Sequence, residues 1–201
     1  MVMHQVEYKD KGEKMRKELG NKPFTYPQPV LMIGTYDEDG TPNLMNAAWG
    51  GISNDDEISI CLSNNHKTVY NFMKTKAITV SMATAKTVKE CDYLGIASGN
   101  KVKNKIDVVR FHHSKAPHVN APMFDELPLT LECLVLSYDM DSCRMVAKIV
   151  NVLADESILT DGKVDPVKLE PICFDPFNNA YLKVTEKVGN AFKDGVVYLK
   201  K

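Results

Sequence analysis

PQPVLMIGTYDEDGTPNLMNAAWGGIS, residues 27–53, decides the fold. Pro27 and Pro29 hold the residues before them in extended geometry, so this segment enters as a strand. VLMIGTY (30–36) is an apolar run, and it stops at Asp37-Glu38-Asp39-Gly40. An apolar run broken by Asp-Gly is the signature of a β-hairpin. The return strand then runs from Asn43 to Gly50.

Working outward, more strands appear. EISICLS (57–63) alternates, with Ile58, Ile60 and Leu62 on one face. AITVSMA (77–83) also alternates, which puts Ile78, Val80 and Met82 inward and Thr79 and Ser81 outward. LTLECLVLSY (129–138), RMVAKIVNVLA (144–154) and VVYL (196–199) complete the strand set. Helices fall between some of them. HKTVYNFMKT (66–75) spaces Val69, Phe72 and Met73 as one helical face. Thr87-x-x-Glu90 has the form of a capping box ahead of Val88, Cys91 and Leu94. Asn104-x-x-Asp107 opens a short helix carrying Ile106 and Val109, and Asp165-Pro166 opens another. Residues 8–20 read as a polar helix ending at Gly20. Strands this numerous, with helices so irregularly placed, exclude a doubly wound parallel sheet. They fit an antiparallel barrel decorated with helices.

The 201 residues suit one domain. Lys and Arg number 25 against 26 Asp and Glu, so bulk attraction to nucleic acid or to an anionic membrane is excluded. No apolar run spans a bilayer, and the first residues lack the apolar centre of a secretory signal, which predicts a cytoplasmic protein. Five cysteines without a CxxC read as reduced, buried thiols rather than a metal or redox pair. GxGxxG, GxxxxGK[ST], HExxH and GxSxG are absent. His112, His113 and His118 have no carboxylate or cysteine at ligand spacing, so no metal centre is predicted. Residues 101–118 hold Lys101, Lys103, Lys105, Arg110 and Lys115 against the single acid Asp107. Such a run is either a solvated face or the wall of a site for a phosphorylated ligand.

Two segments depart from plain patterning. Asn43-Leu44-Met45-Asn46-Ala47-Ala48-Trp49-Gly50-Gly51 has small residues in its middle, two asparagines and the only tryptophan. Small side chains let a flat ligand approach the backbone. A tight crossing of two strands with Trp49 as core filler fits equally. Ser63-Asn64-Asn65-His66-Lys67-Thr68 ends a strand and starts a helix. Free amides, hydroxyls and a lysine at a helix start suit a phosphate. An ordinary cap by Asn65 or Thr68 is the other reading.

Here the chain resembles the flavoredoxin and flavin-reductase-like proteins, the FMN-binding split-barrel family. The likeness runs from about residue 27 to 195. It rests on the opening stretch, on SNNHKTVYNF, on Ser98-Gly99-Asn100 with its lysines, and on DPVKLEPICFDPFNNAYLKVTEKVGNAF near the end. SGNKVKNK departs from the family's usual acidic and aromatic continuation. The resemblance implies a six-stranded antiparallel split barrel of Greek-key type over residues 27–201, with residues 1–26 as an N-terminal extension or helix. It implies a homodimer with FMN near the interface. By position, Asn43, Asn46, Ala47, Ala48 and Trp49 would lie beside the isoalloxazine, with Cys61, Leu62 and Ser63 on the neighbouring strand end. His66, Lys67 and Thr68 would cradle the phosphate, Ser98, Gly99 and Lys103 would make a second contact, and Phe177 and Tyr181 would cap the ring. The implied activity is that of an FMN-dependent oxidoreductase. It would take hydride or electrons from NAD(P)H or a reduced carrier and pass them to a small molecule or a redox protein. A non-enzymatic FMN electron carrier and a flavin sensor share the same fold and site. No general acid or base is implied, because the flavin carries the chemistry.

Overall fold

The computed structural model describes residues 16–199, so the N-terminal part of the 8–20 helix lies outside the described residues, and 16–20 is not helical. The hairpin forms as its sequence dictates. β1 (Gln28–Pro29) leads into β2 (Leu31–Tyr36), and Gly40, at φ +84°, closes the turn into β3 (Pro42–Ala47). A positive φ is strained for any residue with a Cβ, so the turn needs its glycine. The expected single return strand is broken at Ala48-Trp49, and β4 (Gly50–Asn54) follows. The Cys61 N–H donates to the Trp49 carbonyl (2.8 Å), which turns the chain toward β5 (Glu57–Cys61).

Then come α1 (Lys67–Thr75), β6 (Ala77–Met82), α2 (Val88–Ile96), α3 (Lys105–Val109), β7 (His113–Lys115) and β8 (Pro122–Phe124). β9 (Leu129–Asp139) and β10 (Arg144–Ala154) form a long hairpin. β11 (Leu159–Thr160), β12 (Lys163–Val164), α4 (Pro166–Leu169), β13 (Ile172–Asp175) and β14 (Ala180–Lys183) finish the fold. The main sheet has the order β3-β2-β6-β9-β10-β5-β4, all antiparallel. Its strands number seven rather than six, because the break at Ala48-Trp49 makes two strands of one. Its two edges, β3 and β4, are joined by those two residues alone, so the sheet curls into a barrel split at that seam.

Two cores follow from this curl. Inside the barrel pack Ile33, Ile58, Ile60, Ile78, Val80 and Met145, with Val69 and Phe72 of α1 against them. Met73, expected on the same helical face, is 39% exposed. Outside pack Val30, Met32, Leu44, Leu94, Ile106, Phe124 and Ile172. β2 therefore buries both faces, which is why its sequence is a run and not an alternation. The same second layer corrects the reading of β6. Thr79 and Ser81 are fully buried: the Thr79 hydroxyl donates to the Pro122 carbonyl of β8 (2.5 Å), and Ser81 bonds Thr130 on the neighbouring strand β9 (2.8 Å).

Other expectations are revised locally. Thr87 does not cap α2 with its side chain; its hydroxyl accepts instead from the Thr84 N–H (3.3 Å). Asp165 does cap α4, accepting from the Val167 N–H (2.9 Å). VVYL is not a strand: Asp194–Leu199 forms an exposed 3₁₀ segment. Cys91, Cys133 and Cys173 are buried as expected, but Cys61 is exposed and Cys143 partly so. The histidine segment is not freely solvated. His112 and His118 each offer a backbone N–H and a ring nitrogen to one carboxylate, Glu126 and Glu132 respectively. Burial would raise the Glu132 carboxyl. Hydrogen bonds from Asn151 and His118 outweigh burial and hold it below its ordinary value.

Candidate functional site

Three pieces of chain converge on one cleft of about 470 Å³. β3 supplies Asn43, Met45 and Asn46. The start of α1 supplies His66, Lys67 and Thr68. The end of α2 and the loop after it supply residues 95–101, with Lys105 from α3. The α1 start is open. His66 occupies the N-cap position with extended backbone, no side chain caps the helix, and no acid stands in the first turn. Both candidate caps are engaged elsewhere: Asn65 Oδ1 accepts from the Ser63 hydroxyl (3.0 Å), and Thr68 Oγ1 accepts from Asn43 Nδ2 (2.8 Å). The positive end of this nine-residue helix is thus uncompensated by side chains.

The loop approaches closely because Gly99 lacks a side chain. A Cβ there would sit 2.5 Å from Asn43 Oδ1 and 3.1 Å from Lys67 Cβ. Asn100 Nδ2 donates to the Asn65 carbonyl (2.9 Å), tying the loop to the lead-in of α1. Lys105 is 2% exposed, and its amine donates to the Leu94 and Ala97 carbonyls, both at 3.0 Å. Those are carbonyls at the negative end of α2. Among the described residues no carboxylate pairs with Lys105, and burial lowers it to about 8. Burial, then the Lys105 charge, lowers His66 as well. Lys67 pairs with Asp37 (2.7 Å) and lies over the Tyr70 ring. None of the residues lining the cleft is acidic.

Of the residues singled out by sequence, the cleft unites Asn43, Asn46, His66, Lys67, Thr68, Ser98 and Gly99. Lys103 lines a small adjoining recess with Asp37 and Asp39. The others lie outside the cleft wall. Ala47 and Leu62 are in the barrel core, and Ser63 bonds Asn65. Ala48, Trp49 and Cys61 are at the seam, where Trp49 is 46% exposed and 6.2 Å from the Phe174 ring. Phe177 stacks on Tyr26 (5.1 Å), and Tyr181 donates to Asp92 Oδ1 (2.8 Å) beside Asn46. Asn46 therefore stands between the cleft and this aromatic group. Sequence reading missed Gly95, Ile96 and Ala97, held Met45, Asn65 and Asn100 only as members of the quoted segments, and left Lys101 and Lys105 within a basic run. The Asn104-x-x-Asp107 helix start places Lys105 in the first turn of α3, but only the packing of α3 against the end of α2 sets it apart from the other lysines.

Comparison with known proteins agrees with the geometry. The flavoredoxin of Desulfovibrio vulgaris (Miyazaki F) is 33% identical, with a TM-score of 0.86 over 90% of this chain and 100% of that one. The flavoredoxin from Methanosarcina acetivorans is 27% identical, with a TM-score of 0.82 over 91% and 98% of the two chains. An FMN-binding domain of a flavin reductases-like enzyme from Shewanella baltica OS155 shares the fold at 14% identity (TM-score 0.73, 81% and 89% covered). No curated protein matches the chain. The sequence model of the flavin reductase like domain matches residues 24–168. With that match over most of its length and the split barrel beneath it, the chain belongs to the flavin reductase like domain family.

Proposed function

We propose that the cleft binds FMN and that the protein moves electrons through it. One observation carries this reading: an acid-free cleft gathers Lys67, Lys101 and Lys105 around an uncapped helix start, with Gly99 leaving room. Cations and free helix amides together suit a dianionic phosphate monoester. Lys67, Thr68 and the first α1 amides would hold the phosphate. Asn43 and Asn46 offer amide groups along the wall. Trp49, Phe177 and Tyr181 offer aromatic surface at the seam. Bound FMN supplies the redox chemistry, as acceptor and donor of one or two electrons. The residues here bind, orient and balance charge. Lys105 brings a positive charge out of water, where it acts more strongly on an anion than a solvated lysine does. That the two most similar structures reported above are named flavoredoxins supports the same reading.

The donor is settled by anaerobic mixing of the FMN-loaded protein with NADH or NADPH. Bleaching of the flavin bands is expected, and it makes the protein an NAD(P)H-dependent reductase. Bleaching by reduced ferredoxin alone makes it an electron carrier. A protein that stays colourless after FMN is added has no such function.

The same proposal includes a pair of chains. Ile52 on edge strand β4 is 67% exposed, and Leu134 and Leu136 on β9 are 44% and 55% exposed. Apolar side chains standing on strand surfaces favour burial against another protein surface. Sedimentation equilibrium should give twice the mass of one 201-residue chain. A concentration-independent single-chain mass removes the pair from the proposal.

A further inference from the structure

A second cleft, of about 630 Å³, opens beside the C-terminal half of α1, and none of the residues lining it lines the first. Its walls are the hairpin turn after β2, the α1 residues Asn71, Lys74 and Thr75, and the β7 segment with His113, Lys115 and Asn120. The acids here are already engaged. Asp37 pairs with Lys67 (2.7 Å), and Glu38 accepts from Tyr70 (3.0 Å) and Lys74. Lys115 is exposed and has no ion-pair partner among the described residues.

Asn71 is the unusual member. It is 2% exposed, and its Nδ2 donates to Thr35 Oγ1 (3.1 Å). Its Oδ1 is buried with no hydrogen-bond partner among the described residues. Buried polar atoms are nearly always paired, so an unpaired one in a cleft wall marks a place for a ligand's donor. The cleft therefore has an unpaired acceptor within its α1 wall and an unpaired cation on the β7 segment.

We propose that this cleft is a binding site for a small organic anion that also carries a hydroxyl or amino donor. Its charge is held by Lys115, and its donor completes Asn71 Oδ1. A phosphate ester and a hydroxycarboxylate share that chemistry. The site does not rest on the flavin reading: its two contacts, Lys115 and Asn71, are not residues of the first cleft, which meets this one at the Asp37–Lys67 pair.

Calorimetry with FMN in excess keeps the first cleft occupied or, if FMN does not bind, leaves the variants to assign the site. Ribose 5-phosphate and malate are the probes; inorganic phosphate and ribose are the one-ended controls. At least one probe is expected to bind ten times more tightly than either control, and the one that does names the anion. Lys115→Ala should weaken that binding at least tenfold, while Lys101→Ala in the first cleft leaves it unchanged. Asn71→Leu should weaken it as well, and Lys115→Ala, at an exposed position, stands alone if that variant does not fold. Two results overturn the proposal: neither probe binds ten times more tightly than both controls, or Lys115→Ala binds the tighter probe like the parent.

Discussion

Gly34→Ala is expected to cost about 4 kcal/mol of folding stability, a sum of overpacking and of a broken buried hydrogen bond. Gly34 lies mid-strand in β2, paired with Leu44 on one side and Thr79 on the other. A Cβ at this position would fall 2.3 Å from Thr79 Oγ1 and 2.8 Å from the Pro122 carbonyl oxygen. Those two atoms are hydrogen-bonded to each other at 2.5 Å, and Thr79 is fully buried. Real Cβ atoms do not approach so closely. The backbone oxygen belongs to a chain held by its own ladder with β7, so it cannot simply swing away. Either the Thr79–Pro122 bond breaks inside the protein, leaving a hydroxyl and a carbonyl unpaired, or β8 lifts from the barrel. The loss is a large part of the roughly 5–15 kcal/mol that holds a domain together. Urea unfolding of the variant measures it. Gly51→Ala is the control: nothing lies within 4 Å of its Cβ, so its midpoint should stay near that of the parent. Adding Thr79→Ala to Gly34→Ala should recover part of the loss, since the nearest clashing atom is then gone. A Gly34→Ala protein within about 1 kcal/mol of the parent would contradict the close layering of the two cores.

Gly34 also shows why part of the fold was legible in sequence and part was not. Periodicity reports whether a face is buried, and it served where one face was wet. β5 with Ile58, Ile60 and Leu62, and α1 with Val69 and Phe72, lie where their patterns put them. β6 has an alternating pattern but no wet face. Thr79 and Ser81 look like solvent positions because they are polar; both are buried, Thr79 where β8 crosses it and supplies its partner Pro122, and Ser81 with its partner Thr130 on β9. That crossing depends on contacts more than forty residues apart in sequence, which no local pattern carries. The break at Ala48-Trp49 is of the same kind, since the bond that makes it comes from Cys61. The candidate cleft divides along the same line. Asn43, Asn46 and the 66–68 run stand in recognisable segments. The residues that complete the wall arrive from the end of α2 and from α3, and only the fold brings them there.

The second large effect concerns Lys105 and has two opposite signs. Burial lowers this amine from its ordinary 10.5 to about 8. Below pH 8 both the folded and the unfolded chain hold the proton, and the fold bears the cost of a buried charge. Between 8 and 10.5 the unfolded chain holds the proton and the folded chain does not, so stability rises with pH; it is complete above 10.5. The full gain is about 3 kcal/mol, from about 1.4 kcal/mol per pH unit of displacement. Other groups act against it in the same range. Burial raises the Cys91 and Cys133 thiols from 9 to about 11 and about 12, so they take stability away as pH rises past 9. The difference between the parent and Lys105→Met isolates the lysine, and that difference should shift by about 3 kcal/mol in the parent's favour from pH 7 to 10.5. FMN binding should run the other way. A phosphate monoester is already a dianion above its second pKa of about 6, so the phosphate charge is nearly constant over pH 7 to 9.5. Loss of the Lys105 proton in that window removes a charge-assisted contact, and affinity should fall about tenfold. In Lys105→Met the affinity should be low from the start and flat with pH. Stability is read by urea unfolding of the FMN-free protein at each pH, and affinity by quenching of FMN fluorescence. Parallel curves for parent and variant in both measurements would mean that the buried amine titrates neither in the fold nor against the ligand. Curves that diverge in stability but not in affinity would keep the burial and take Lys105 out of the phosphate site. Opposed slopes in the parent, both flattened in the variant, identify the amine as a charge held in the fold at a cost and used by the ligand.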